Sequence, residues 1–436
     1  MTKLRIGIIG AGAAGLAAAW DFSRAGHKVT VYEAAEQVGG LAAGFKDDSW
    51  DWTLEKFYHH WFANDHDILG LAEEMGVRDK IIFPRPKTSY WVDGEIVRSE
   101  ISPSALFLPL SLPATLRMAL AGMAIKFAPS WRPFERVAAD AWMRRWMGAE
   151  AYEKFFKPLL IGKFAELYDQ VPMSFMWARI VKRTLKLGTY TGGFQAFLDE
   201  LAGQLRERGV EICLGARVES IDVREGAPAL FTGGQWQGFD RILSTTSPSL
   251  LLRMAEDLRE TAFGEQVAAL KSIGGLCVVL ALKQPLMPDD SYWLNLPATT
   301  ADKSGSAFPF LALVEHTNYI SREHYGGDHI VYCGDYVPPD HEYFQLSEDA
   351  LIERFLPALS KVNPAFQREW IRKRWVWRAP YAQPVPELNH SRKIPGIKTP
   401  LPGLFWASMS QVYPWDRGTN YAVEIGRRAA RLALRD

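Results

Sequence analysis

The chain has 436 residues, 48% of them hydrophobic, which is enough to bury a large core and exceeds the usual size of one domain, so two domains around one ligand are expected. Fifty basic residues balance fifty acidic ones, so no excess charge points to nucleic acid, to an anionic membrane or to a polyanionic partner, and the expected ligand is a small molecule. Cys213, Cys277 and Cys333 are far apart and form no CxxC or Cys/His pattern, so neither a metal site nor a disulfide framework is expected, as befits a reducing cytoplasm.

Lys3 and Arg5 precede an apolar run to Trp20 that has the outline of a signal peptide, but regularly placed glycines argue for another reading. Residues 4 to 9 read as a buried parallel strand. Gly10-Ala11-Gly12-Ala13-Ala14-Gly15 follows, and then a helix from Leu16 to Arg24. Gly10 permits the tight turn, Gly12 lets the backbone approach a pyrophosphate, and Gly15 lets the helix pack on the strand. Amides at the helix start, including those of Ala13 and Ala14, then face the phosphates. Lys28 to Tyr32 reads as a second strand, with Glu33 at its end placed to accept both ribose hydroxyls of an adenosine. A carboxylate there disfavours the 2′-phosphate of NADP. Glu33 is followed by Gly39-Gly40-Leu41.

The richest local cluster is Glu55-Lys56-Phe57-Tyr58-His59-His60-Trp61-Phe62. A single histidine is usually structural, whereas an adjacent pair beside aromatics is a candidate for contact with cofactor or substrate. Ile101 to Leu116 carries no charge, yet Pro103, Pro109 and Pro113 interrupt it and Arg117 ends it, so no transmembrane helix is expected. Trp142, Trp146, Phe155, Phe156, Leu159 and Leu160 recur at helical intervals with Lys157 and Lys163 interspersed, so the region 81–189 is expected to be largely helical. Tyr190-Thr191-Gly192-Gly193-Phe194 leads into a helix, a strand-like run from Val210 to Val223, and then Phe239 to Thr246. Further strands are expected at Leu276 to Leu282 and Ile330 to Cys333. Near the end, Gly403 to Ser408 reads as a strand and Ala422, Val423, Ile425, Gly426, Ala429 and Ala430 as one face of a helix, with Thr419 or Asn420 as its cap.

The GAGAAG turn, Glu33 and Gly39-Gly40 together resemble the N-terminus of the flavin-containing amine oxidase superfamily, which includes protoporphyrinogen oxidases, carotenoid and squalene desaturases and UDP-galactopyranose mutases. The segments 190–246 and 403–426 extend the resemblance to the whole chain. It implies an α/β fold: a Rossmann-like FAD-binding domain of the glutathione-reductase type (1–80, 190–250 and 396–436) with an inserted α+β substrate domain (81–189 and 251–395). It implies FAD bound noncovalently at Gly10, Gly12, Ala13, Ala14, Gly15, Glu33, Gly39, Gly40, Leu41, the backbone of Val218, and Gly418, Thr419, Asn420 and Ala422. No metal is implied. Leu41 replaces the usual basic residue, and Ser408-Met409-Ser410 replaces a common Asp. By the same resemblance the C-terminal helix would aim its N-terminal amides at the flavin N1 and C2 carbonyl.

His59 and His60 are the catalytic candidates. Tyr58, Arg378, Tyr381, Tyr413, Asp416 and Arg417 are the pocket candidates. Together these point to an FAD-dependent oxidoreductase that removes two electrons from a largely apolar small molecule at a C–N or C–C bond, with oxygen or another acceptor as oxidant. A UDP-sugar mutase-like isomerase, with Arg179, Arg183, Arg372 and Arg374 available for a diphosphate, and a flavin binder without turnover are the other readings. A cytoplasmic location is expected, with Ala105 to Phe127 as the segment for any peripheral membrane contact.

Overall fold

A computed structural model describes residues 2–98, 110–182, 184, 186–301 and 305–436. Residues 101–109 of the uncharged stretch, the start of the segment from Ala105 to Phe127, and Arg183 lie outside the described residues.

The apolar run at the N-terminus forms the strand Arg5–Ile9, whose last four residues are buried, as expected for the centre of a parallel sheet covered on both faces. It pairs in parallel with Lys28–Tyr32 on one side and Arg241–Ser244 on the other. Glu211–Cys213 and Leu404–Trp406 complete a five-stranded parallel sheet at its two edges. Three stretches of sequence far apart thus build one nucleotide-type sheet, and the helices Ala13–Arg24, Phe194–Glu207 and Thr419–Ala433 contribute to its core. Gly15 and Gly426 set this packing. A Cβ on Gly15 would stand 1.9 Å from the Gly10 carbonyl oxygen, and one on Gly426 would stand 2.1 Å from that of Ala14.

The second unit is a seven-stranded, mostly antiparallel sheet in the order Ile371–Pro384, Ser272–Leu282, His329–Val337, Ala312–Glu315, Trp293–Asn295, Thr88–Val92, Glu95–Arg98. Both insertions therefore feed one sheet. The earlier one is less helical than its spacing predicts: it opens with the hairpin Thr88–Arg98, and the helices run from Leu112 to Lys182. The run Val210 to Val223 is likewise two strands, Glu211–Cys213 and Val218–Arg224, which belong to different sheets and are separated by a turn in which Gly215 has φ +64°. The helices Ala139–Trp146, Lys157–Phe164 and Met173–Lys182 share a separate apolar core that reaches Ile273 of the large sheet and Val385 just beyond the strand Ile371–Pro384. Among the described residues no helix is long and apolar enough to cross a membrane.

Candidate active site

The strand, turn and helix at residues 5–24 place the glycine-rich loop at the carboxyl edge of the parallel sheet. No side chain caps the helix Ala13–Arg24, whose N-cap is Gly12. Glu33 Oε2 accepts the Ala11 amide at 2.8 Å and Oε1 accepts that of Ala35 at 2.9 Å. The carboxylate is thereby fixed beside the loop with lone pairs to spare. The Gly39 amide donates to the Ala11 carbonyl at 2.9 Å, which brings Gly39-Gly40-Leu41 against the loop. The Ala216 amide donates to the Glu33 carbonyl at 2.8 Å and ties the start of the Val218 strand to the same edge.

Two of these glycines have no reason in the fold alone. Gly12 has an ordinary φ of −76°, and a Cβ there would meet nothing nearer than 3.9 Å. Gly418, the N-cap of Thr419–Ala433, has extended backbone and nothing within 4 Å of a Cβ. Both stand at uncapped helix N-termini, where a phosphate or a flavin edge needs open backbone. These residues fit a dinucleotide cofactor.

The start of the C-terminal helix departs from expectation in one respect. Neither Thr419 nor Asn420 caps it. Thr419 Oγ1 instead accepts the indole N–H of the buried Trp61 at 2.6 Å. Asn420 Oδ1 accepts the amides of Asp67 and Ile68 at 3.0 and 3.1 Å, so it caps the neighbouring helix His66–Glu74. Both side chains are spent holding this helix in place, which leaves its own first amides without a side-chain cap. Ala422 follows in the first turn.

Beyond Leu41 lies a small cavity between the nucleotide unit and the large sheet, lined by Leu41, Phe57, Tyr58, His59, Gly275, Leu276, Asp335, Tyr336, Ala382 and Arg417. Gly334 makes room for it, because a Cβ there would lie 2.6 Å from the Tyr58 hydroxyl. His59 Nδ1 meets the Phe57 carbonyl, and since a carbonyl only accepts, Nδ1 carries the proton. Burial lowers the His59 pKa to about 4, with the Arg417 charge acting the same way, so the ring is neutral at ordinary pH. Burial pushes the Tyr58 and Tyr336 phenols up, and both stay protonated.

The other candidates divide. His60 is not among the residues lining the cavity; its ring meets Phe62 and Trp293 edge-on. Arg378 is not among the residues lining the cavity. It pairs with Leu276 on the face that bears Val376 and Cys333, and donates to the carbonyls of Tyr343 and Leu346 at 2.9 and 2.8 Å. Tyr381 bonds Ser408 and Ser410, each at 2.7 Å, so Ser408-Met409-Ser410 anchors the large sheet to the nucleotide unit, and Ser408 also forms a capping box with Gln411. Tyr413 bonds Ser174 at 2.7 Å and lines a smaller cavity with Asp416 and Arg417.

Asp416 is held by Lys163 at 3.0 Å and Arg179 at 2.5 Å. Burial raises its pKa, but Lys163, Arg179 and Arg417 outweigh that and keep the carboxyl well below its usual range. The remaining described arginines proposed for a diphosphate do not join this group: Arg372 pairs with Asp328 and Asp47, and Arg374 with Asp349. Tyr336 and Lys163 were not singled out as site residues from sequence. Tyr336 carries no signal beyond its place in a strand, whereas a lysine set in the apolar run Leu159 to Phe164 was a readable anomaly. Among the described residues no cluster could hold a metal ion. An open groove of about 780 Å³ lined by Arg428, Arg431 and Arg435 lies at the far end of the C-terminal helix, away from these groups.

Known proteins share this arrangement. The family model for flavin containing amine oxidoreductase matches residues 13–434. A 15-cis-phytoene desaturase of Capsicum annuum is 23% identical over 399 residues, which is 83% of this chain and 65% of the desaturase. An Exiguobacterium sp. 255-15 protein provisionally assigned as a protoporphyrinogen oxidase superposes with a TM-score of 0.79 at 18% identity, covering 100% of both chains. A reduced UDP-galactopyranose mutase superposes with a TM-score of 0.74 at 16% identity, covering 100% of this chain and 94% of the mutase. At those identities the superpositions speak to the fold. With the family model spanning nearly the whole chain, the protein belongs to the flavin-containing amine oxidoreductases.

Proposed function

We propose that the protein dehydrogenates a largely apolar small molecule, removing two electrons and two hydrogens across a C–C or C–N bond, with oxygen or another acceptor taking the electrons onward. The observation that carries this reading is the cavity beside Leu41, where the apolar Leu41, Phe57, Leu276 and Ala382 line one space with Tyr58, His59, Asp335, Tyr336 and Arg417. The phytoene desaturase relative, whose name denotes dehydrogenation of a hydrocarbon, supports the C–C form. In this reading Gly10, Gly12, Ala13, Ala14, Gly15, Gly39 and Gly40 hold the pyrophosphate by backbone, Glu33 holds the ribose and Val218 the adenine. Leu41 and the amides at Gly418, Thr419, Asn420 and Ala422 adjoin the ring system. When bound, FAD supplies the two-electron acceptor.

The chain's own contribution is orientation and exclusion of water. A neutral His59 with its proton on Nδ1 offers Nε2 as a hydrogen-bond acceptor; with a pKa near 4 it is a weak base at neutral pH. The aromatic wall of Phe57, Tyr58 and Tyr336 confines the substrate.

An apolar substrate is delivered most readily from lipid, and a surface for that purpose is available. The helix Leu112–Lys126 exposes Leu112, Leu116, Leu120 and Met123 along one side, and Phe127 just after it is 81% exposed. Arg117, Lys126, Arg132, Arg144 and Arg145 stand in the same region beside the exposed Trp146. We assign this face to peripheral contact with a membrane surface.

The test is anaerobic bleaching of the flavin absorbance of the purified holoprotein with amines, polyenes, tetrapyrroles and UDP-sugars. The reading expects bleaching by an apolar member of that panel. Bleaching by none of them, together with turnover of a UDP-sugar only after dithionite reduction, contradicts it.

A further inference from the structure

Arg417 stands out within the site. Its neighbour Asp416 is the natural partner for a guanidinium, yet that carboxylate is already taken. Lys163 and Arg179 both reach Oδ2, and Oδ1 receives the Arg417 backbone amide at 3.0 Å and Gln383 Nε2 at 3.4 Å. Lys163 and Arg179 hold Asp416, which lines the smaller cavity. The Arg417 side chain points into the cavity beside Leu41, where Nη2 donates to the Tyr336 hydroxyl and Nε is buried with no hydrogen-bond partner.

The negative charge nearest this cation is that of Asp416, which Lys163 and Arg179 already share. Tyr58 and Tyr336 are protonated phenols and His59 is neutral. Asp335 also lines the cavity, from a strand position whose side chain alternates to the face of Cys333 and Val337, and it is the carboxylate that an anion there would have to avoid. Two guanidiniums, Arg179 and Arg417, are thus gathered around the single carboxylate of Asp416 together with Lys163, whose pKa burial lowers to about 7. A desolvated guanidinium with spare donors is costly to keep and is relieved by an anion. The Tyr336 oxygen accepts from Arg417, so its own proton remains free to donate.

We propose that the substrate is an amphiphilic acid: its anionic group binds Arg417, flanked by the Tyr336 and Tyr58 hydroxyls, and its hydrocarbon part lies against Leu41, Phe57 and Ala382. This rests on the reading of the cavity as the site for a largely apolar small molecule and adds the charged group to it.

The test compares octanoate with octanol on the FAD-loaded protein, by calorimetry and by perturbation of the flavin absorbance. Octanoate is expected to bind about tenfold or more tighter than octanol, the usual gain for a hydrogen bond to a charged group. Arg417→Gln should erase that preference while leaving octanol affinity within about twofold, and Arg417→Lys should retain part of it. Equal binding of the two probes to the wild-type protein overturns the acidic-substrate proposal and leaves the apolar reading standing; failure of both to bind overturns the two together. If Arg417→Gln shifts the flavin reduction potential but leaves the octanoate preference intact, the guanidinium serves the cofactor and the proposal falls. The wild-type comparison decides the matter even if the variants do not fold.

Discussion

Replacing Glu55 by Gln should stabilise the protein at alkaline pH and do little at acid pH. Glu55 is 3% exposed, and its Oε1 accepts the Phe194 amide at 2.8 Å. Burial raises its pKa from 4.5 to about 7 against the pull of that hydrogen bond. Between those two values the folded protein keeps the proton that the unfolded chain has lost, so the folded state binds more protons and stability falls as pH rises through the window. Above pH 7 the loss is complete. A shift from 4.5 to about 7 corresponds to about 3 kcal/mol at roughly 1.4 kcal/mol per pKa unit. Gln keeps an oxygen for the Phe194 amide and carries no charge. In urea unfolding at matched ionic strength, Glu55→Gln should match the wild type near pH 4.5 and exceed it by up to about 3 kcal/mol at pH 8. A stability difference that is the same at both pH values would refute the reasoning.

Gly12→Ala should leave the stability of the apoprotein unchanged or slightly higher, because a Cβ meets nothing nearer than 3.9 Å, while FAD affinity measured by fluorescence quenching falls by about tenfold or more. Gly426→Ala should do the opposite: a Cβ 2.1 Å from the Ala14 carbonyl oxygen forces the two helices apart, at a cost of about 1–3 kcal/mol in thermal or urea unfolding of the apoprotein itself. Asn420→Ala strips the acceptor from two amides of the helix His66–Glu74 and should cost about 1–2 kcal/mol in the same assay. Leu116→Ser combined with Leu120→Ser should reduce cosedimentation with anionic lipid vesicles by about tenfold or more without changing the melting temperature, since both side chains are exposed.

The nucleotide half of the fold was legible because its signals are local. A buried strand, a glycine turn and a helix occupy twenty consecutive residues, and Glu33 follows at fixed spacing, so residues 5–33 fold much as their pattern predicts. The hairpin Thr88–Arg98 was not legible as part of the large sheet. Its partner Trp293–Asn295 lies about two hundred residues away, and only that pairing gives the segment a buried face. The roles of Thr419 and Asn420 were misread for the same reason. Their position suggested a cap on their own helix, while the acceptors they provide serve Trp61, Asp67 and Ile68 from another part of the chain. In the cavity, His59 and His60 are indistinguishable in sequence, and it is their geometry that sets His59 against the cavity and His60 against Phe62 and Trp293. Arg378 and Arg417 are equal candidates in sequence, and only the fold shows the first bonding the Tyr343 and Leu346 carbonyls while the second lines the cavity.

The account turns on net electron transfer from an apolar substrate, and an anaerobic single turnover measures it directly. With one equivalent of the substrate that bleaches the flavin, the account predicts one oxidised product, two hydrogens lighter, for each FAD reduced, and no turnover by protein that has been reduced beforehand. A product isomeric with its substrate, formed only by the prereduced protein and with no change in flavin oxidation state, would contradict it.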